Sequence, residues 1–224
     1  GNYSLSKKPI TLSFTGTAGQ SFGAWNVSGL NMTLNGDAND YVGKGMAGGN
    51  IVIQSPKELK TIASSTVAIG NTCLYGATGG RLFVEGIVGE RFAVRNSGCI
   101  AVVEGSGDHA CEYMTGGAVI FLGKVGNNFG AGMTGGLSFV YDDNHMLDSN
   151  INAESVELVK IKPGKYRKHE EFIHKQIKSH FAKTGSLRAK QILDNFCDEV
   201  KKFYIIKPKS SNIDDLLVII NKAA

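Results

Sequence analysis

Two hexapeptides, GKGMAG at residues 43–48 and GAGMTG at residues 130–135, carry the G-x-G-x-x-G spacing that lets a glycine turn approach a dinucleotide pyrophosphate. That chemistry needs a strand leading in and a helix leading out, because the phosphates rest on the helix N-terminus. Here each hexapeptide runs directly into another strand-like segment, NIVIQ or LSFVYD, so both are rejected as cofactor sites. Asp108, His109, Cys111 and Glu112 are the densest group of metal-ligating types. If His109 and Cys111 lie two apart on a strand they share a face. A zinc ion would still need a further ligand, and only Cys99, one repeat away, offers itself, so a polar structural corner is expected instead. Cys73, Cys99, Cys111 and Cys197 show neither a CxxC pair nor cluster spacing and are read as small buried hydrophobes in a reducing compartment. Asp142 and Asp143 could hold calcium or end a strand, and termination is the reading adopted. No nucleophile elbow, phosphate loop or conspicuous pair of carboxylates on matching repeats is recognised. The sequence therefore assigns no catalytic, cofactor-binding or metal-binding residue.

The elements around these residues are set by glycine. Of 29 glycines, 27 fall in the first 150 residues, leaving only Gly164 and Gly185 beyond. Six units follow one another, each a glycine-flanked segment leading into a short run of β-branched, Leu and Phe residues. Aligned on Gly29, Gly49, Gly80, Gly98, Gly117 and Gly136, they step by 20, 31, 18, 19 and 19 residues. The long step is an insertion, SPKELKTIASST, at residues 55–66, placed as a surface excursion. About five strand residues span one flat side of a coil, and a unit this short cannot bury its own apolar face, so units must stack. The six anchoring glycines are read as structural turn positions that need φ > 0, where a Cβ costs about 1–2 kcal/mol. A leucine-rich repeat would need its Leu-x-x-Leu-x-Leu ladder, and a hexapeptide coil a six-residue beat; neither is present. The fold expected is mainly β, a single-stranded parallel β-helix over residues 1–160, with an α-helical tail over 161–224.

Along the strands Ile51/Ile53, Leu82/Val84, Ile100/Val102 and Val119/Phe121 form one alternation class, and Val52, Phe83, Ala101, Ile120 and Phe139 fill the other. Strands apolar on both faces are buried on both faces. One face is the solenoid interior, so the outer face must be covered by the tail or by a neighbouring domain. In the tail, Ile173, Ile177, His180 and Phe181 make a helical stripe ending near Gly185, and Ser186 can cap a second helix carrying Ala189, Ile192, Leu193, Phe196, Val200 and Phe203. Tyr204 to Ile206 suggest a short strand and residues 212–222 a last helix; His169, His174 and His180 are read as surface or half-buried.

Charge separates the halves as well. Residues 1–150 hold 9 Lys/Arg against 11 Asp/Glu, and residues 151–224 hold 15 against 9. The basic excess is interleaved with acids at helical spacing, which fits a solvated helix surface and not a nucleic-acid site. No run reaches the ~20 apolar residues a membrane span needs, and the first residues lack a secretory pattern, so the chain is expected to be cytoplasmic. Asn26-Val27-Ser28 and Asn31-Met32-Thr33 match glycosylation acceptors but carry no weight there. The chain begins at Gly1 without Met, which is read as a piece of a longer polypeptide.

The run VVEGSGDHACEYMTGGAVIFLGKVGNNFGAGMTGGLSFVYD closely resembles the C-terminal glycine-repeat domain of the glutamate synthase large subunit. GNTCLYGATGGRLFVEGIVGERFAVRNSG and the tail pattern TGSLRAKQILDNF leading to IIKP resemble it too, over roughly residues 8–208. The glycine repeats of the related formylmethanofuran dehydrogenase chain are similar but match less well, and a free-standing solenoid or binding module of that kind is the alternative. A β-helix carbohydrate lyase or esterase would need an acidic or arginine-lined groove. The resemblance implies a right-handed β-helix that holds together an amidotransferase domain and an FMN- and iron–sulfur-bearing synthase domain. These convert glutamine and 2-oxoglutarate into two glutamates. The first residue here is Gly, where such an amidotransferase has its N-terminal Cys nucleophile, so this chain alone is expected to be inactive. Its partners are those domains, in cis or as separate polypeptides, with no nucleic acid and no membrane.

Overall fold

The structure, a computed structural model, describes residues 7–223. Seven strands stack in parallel, β1 (Ile10–Thr17), β2 (Leu30–Asp37), β3 (Ala47–Gln54), β5 (Gly79–Val88), β6 (Ser97–Ser106), β7 (Thr115–Phe121) and β8 (Gly135–Tyr141). Short β4 (Val67–Ile69) lies beside β5. Ile10 sits opposite Leu30, Asn31 opposite Asn50, Arg81 opposite Ile100, and Ala118 opposite Leu137, so one turn of the coil takes 19 or 20 residues at these places. The chain is a β-solenoid of about seven turns, one more than the six glycine units. The extra turn begins at β1, which is preceded by Lys7, Lys8 and Pro9 and so lacks the glycine signature.

Each turn has a long strand side, a short second side, where β5 resumes at Ile87–Val88 against Gly105–Ser106 of β6, and a third side that is not a strand. On the third side, residues in the left-handed region alternate with residues outside it. Ser21, Gly23 and Trp25 begin the series, and equivalent triplets follow up to Asn128, Gly130 and Gly132, all with φ between 50° and 73°. From the second triplet on, the middle residue donates its N–H to the turn before, as in Gly43 to Phe22 O at 2.9 Å and Ala93 to Cys73 O at 2.9 Å. The flanking residues donate to the turn after, as in Gly45 to Tyr75 O at 2.9 Å and Arg95 to Glu112 O at 2.9 Å. These cross-turn bonds hold a conformation that costs an L-residue about 1–2 kcal/mol per position. Glycine relieves that cost at some positions, and the rest are occupied by residues such as Arg91, Ala93 and Arg95. Both G-x-G-x-x-G hexapeptides are explained here. Their first two glycines are the second and third left-handed positions of a triplet, and the last opens the following glycine pair. Because Arg95 is exposed with φ +55°, Arg95→Gly is expected to stabilise the chain by about 0.5–1 kcal/mol, the relieved strain exceeding the added chain entropy. A lower midpoint in denaturant would contradict this account of the third side.

At the corner leading into the strands, Gly29, Gly49, Gly80, Gly117 and Gly136 have φ between 72° and 86°. Gly98 is a correction: it is not in the left-handed region. With Arg81 opposite Ile100, Gly98 is the counterpart of Gly79, the first glycine of a pair, and Cys99 takes the place of the second. That corner is closed by a side chain instead. Asn96 Oδ1 accepts from the N–H groups of Gly98 (3.3 Å) and Cys99 (2.9 Å), while its Nδ2 donates to Cys99 O at 3.0 Å. The same one-residue offset corrects the core assignment. Ala101 and Val103 face the solenoid interior with Leu82, Val84, Val119 and Phe121, whereas Ile100 and Val102 face outward with Phe83, Ile120 and Phe139.

The outer face is covered by the chain itself. A short helix α1 (Leu147–Asn150) and strand β9 (Val156–Lys160) lead to α2 (Arg167–Thr184), α3 (Leu187–Asp194) and α4 (Phe196–Glu199), then β10 (Phe203–Pro208) and α5 (Ile213–Ala223). β10 runs antiparallel between β8 and β9, Tyr204 opposite Val140, and closes the last turn. Phe172, Ile173 and Ile177 of α2, Ala189 and Ile192 of α3, and Leu216, Leu217 and Ile220 of α5 pack on Phe83, Ile120 and Phe139. Residues 213–220, to which the sequence assigned no role, thus seal the sheet. Phe203 lies in a strand and not on the second helix, which breaks at Asn195. No helix of the described residues is long and apolar enough to cross a membrane.

Candidate functional site

The polar chemistry of the chain concentrates where the tail meets the second-side corner of the solenoid. A helix leaves its last carbonyls unpaired, and α2 solves this with solenoid side chains. Gln54 Nε2 donates to Lys183 O at 2.6 Å, and Lys60 Nζ donates to Thr184 O at 2.7 Å, with Gly185 at φ +74° turning the chain. Lys60 comes from the insertion, a 3-10 segment over Lys57–Ser65 that is anchored and not a free excursion. It also reaches both oxygens of the buried Glu85 carboxylate at 2.9 Å, and the N–H of Ser55 adds a third bond to that group at 3.0 Å. One turn along, at the matching position, buried Glu104 accepts from Ser186 Oγ at 2.5 Å, and the same hydroxyl accepts from Ala189 N at 3.0 Å to cap α3. Glu85 and Glu104 thus form a carboxylate pair on matching turns, which corrects the sequence reading.

His180 lies 3.7 Å from Glu104 Oε1, fully buried, with neither ring nitrogen hydrogen-bonded among the described residues. His169 is buried as well, correcting the surface reading of both. Burial pushes the His169 imidazole below its ordinary value, against a hydrogen-bonding contact with Ile213 O. Seryl, histidyl and carboxylate groups meet here, but all three are enclosed between helix and sheet with exposures of 0–3%. The arrangement fastens the tail. Beside it is a recess of about 350 Å³ bordered by Glu104 itself and by Lys124, Asp143 and Arg188. Arg188 is committed to Leu122 O at 2.8 Å and to Asp143 at 3.2 Å.

The residues singled out from sequence are dispersed. Asp108 accepts from Asn127 N at 2.6 Å, making an inter-turn bond. His109 and Cys111 are not on a strand; both have positive φ and their side chains part. His109 Nδ1 contacts Glu112 at 3.1 Å and Asn128 at 3.1 Å near the surface, while Cys111 points into the interior, its Sγ 3.3 Å from Ser138 Oγ. No group of three or more His, Cys, Asp or Glu among the described residues could hold a metal. Asp142 accepts from Met146 N (3.2 Å) and Leu147 N (3.3 Å), capping the start of α1.

Burial pushes the thiols of Cys73, Cys99 and Cys111 up to about 12, which leaves them protonated and inert at neutral pH. Cys197 differs from the reading of four buried thiols, being exposed at the helix break. A chromogenic disulfide reagent at pH 8 should therefore titrate one thiol per native chain quickly and four after denaturation. Two or more fast thiols would show that the interior opens readily.

The GXGXG motif family matches residues 1–209. The chain is 51% identical over 211 residues to the ferredoxin-dependent glutamate synthase of Antithamnion sp., covering 94% of this chain and 14% of that protein. It is 52% identical over 201 residues to ferredoxin-dependent glutamate synthase 2 of Synechocystis sp., covering 90% and 13%. With the large chain of the NADPH glutamate synthase of Bacillus subtilis it shares 45% over 211 residues, covering 94% and 14%. The chain thus spans 13–14% of the length of these curated relatives.

Proposed function

Since this chain belongs to the GXGXG motif family and matches one segment of glutamate synthases along nearly its whole length, we propose that it is the solenoid scaffold domain of such an enzyme. The observation that carries this reading is the half-identity to a segment amounting to only 13–14% of each relative. In this reading the chain holds an amidotransferase domain and an FMN- and iron–sulfur-bearing synthase domain in fixed relation, in the cytoplasm. Those domains turn glutamine and 2-oxoglutarate into two glutamates. A parallel solenoid suits the task, because each turn between the two ends is tied to both neighbours by hydrogen bonds on all three sides and cannot bend without breaking several together. The fastened tail adds to that stiffness: on adjacent turns Glu85 holds Lys60, which caps the end of α2, and Glu104 holds Ser186 at the start of α3.

Glutaminase and glutamate synthesis, measured for the chain alone and for the parent synthase with and without it, test the proposal. The chain alone is expected to stay at background. Its removal is expected to lower glutamine-dependent glutamate formation at least tenfold while glutamine hydrolysis by the amidotransferase persists. Activity in the isolated chain, or undiminished coupled synthesis without it, would overturn the scaffold reading.

A further inference from the structure

The two ends of the solenoid differ. At the C-terminal end the interior residues Phe129 and Val140 are 0% and 1% exposed, under Leu147, Val156 and β10. At the other end Leu12 and Phe14 belong to the interior register, opposite Met32 and Leu34, yet are 39% and 42% exposed. The outward residues of β1 are Thr11, Ser13 and Thr15, polar as a solvent face requires. What is uncovered is therefore the end of the core, not a flank.

Backbone groups are uncovered with it, on every side of the turn. In later turns the counterparts of Gly19, Gly23 and Val27 donate to the preceding turn, as Gly70 does to Asn39 O, Gly43 to Phe22 O and Ala47 to Asn26 O. The N–H groups of Gly19, Gly23 and Val27 make no such bond among the described residues. On β1, Ile10 N bonds Gly29 O, so in the parallel ladder Ile10, Leu12 and Phe14 serve β2 while Thr11, Ser13 and Thr15 turn their N–H and C=O groups away from it. Among the described residues this leaves an eight-residue open edge above an apolar pit, a template for another strand.

We propose that this end docks a β-strand from the part of the parent synthase outside the chain. That strand pairs along Thr11–Thr15 and seats alternate apolar side chains on Leu12 and Phe14. The occupant is placed in the parent polypeptide because the relatives carry more than four-fifths of their length beyond the matched segment, so the chain has a large covalent neighbour to receive. The proposal rests on the scaffold reading and names the contact by which the scaffold holds its neighbour.

Amide hydrogen exchange on the assembled synthase and on the 224-residue chain alone tests it. The amides of Thr11, Ser13, Thr15, Gly19, Gly23 and Val27 are expected to exchange at least tenfold more slowly in the assembly, with those of Val102 and Ile120 unchanged. Ser13→Pro and Thr11→Pro remove a donor that faces away from β2, and proline is tolerated on an edge. Both variants should leave the melting of the chain alone unaltered and abolish the protection in the assembly. Equal exchange in both samples, or protection that survives both prolines, overturns the docking. Protection in the chain alone that rises with concentration, with a dimer in sedimentation, makes a second copy the occupant and also overturns it. Coupled glutamate synthesis in the same preparations separates the two claims. If synthesis depends on the chain but β1 stays unprotected, the docking falls and the scaffold stands; the reverse result removes the scaffold and keeps the docking.

Discussion

Gly117→Val is expected to destabilise the chain by about 3 kcal/mol or more, enough to deplete the folded form of a domain of ordinary stability. Two costs combine. Gly117 has φ +76°, where a β-branched residue is strained by about 1–3 kcal/mol. A Cβ there would also lie 2.4 Å from Cys99 O and 2.9 Å from Asn96 Nδ2, which belong to the corner closed by the Asn96 side chain. Relieving the contact means moving the backbone of the neighbouring turn, and that backbone is hydrogen-bonded onward. Gly76→Val is the control, because Gly76 has φ +61° with nothing within 4 Å of a Cβ and so reports the strain alone. Denaturant melts should show Gly117→Val losing clearly more than Gly76→Val. If the two lose equally, close stacking of the turns is not what the corner glycines serve.

Phe139→Ala is expected to cost about 3–5 kcal/mol, the range for deleting a fully buried aromatic ring. Phe139 lies on the outer face of β8, its ring 5.7 Å from that of Phe172 and 6.4 Å from that of His169. It joins the last turn to α2 and belongs to the cluster that holds Leu216, Leu217 and Ile220 of α5. The loss should be uneven along the chain. Hydrogen exchange is expected to speed up in α2, α5 and β10, while Leu34 and Ile53, several turns away, keep their protection. A uniform rise in exchange would mean that tail and solenoid unfold only together.

Both variants bear on how the chain is written. The corner glycines announce themselves because no other residue avoids both the strain and the contact with the turn below. The alternation of left-handed residues on the third side does not, since Ser21, Tyr41, Arg91 and His109 occupy it as readily as Gly43 or Gly130. Cross-turn hydrogen bonds hold those residues in place, and no local pattern advertises a partner 18 or more positions away. The error at Gly98 has the same origin. Counting glycines puts it level with Gly80, but Asn96 does there what a second glycine does elsewhere, so strand register settles which of Ala101 and Val102 turns inward. The polar fastening of the tail was legible only in parts: Ser186 was expected to cap α3, whereas its bond to Glu104, 82 residues earlier, has no signal in sequence.

By itself the amino-acid sequence determined the repeat, the stacked β architecture, the need for a cover over a two-faced apolar sheet, and the placing of the glycine hexapeptides before strands and not helices. Each follows from local conformational cost or from apolar periodicity, which act within about one turn. Only the tertiary structure decided that the cover is α2, α3 and α5, that Glu85 and Glu104 secure it, and that Leu12 and Phe14 remain open at the far end. Those outcomes depend on which distant groups the winding brings together, and a buried charge or an uncovered core end has no meaning until the turns are stacked.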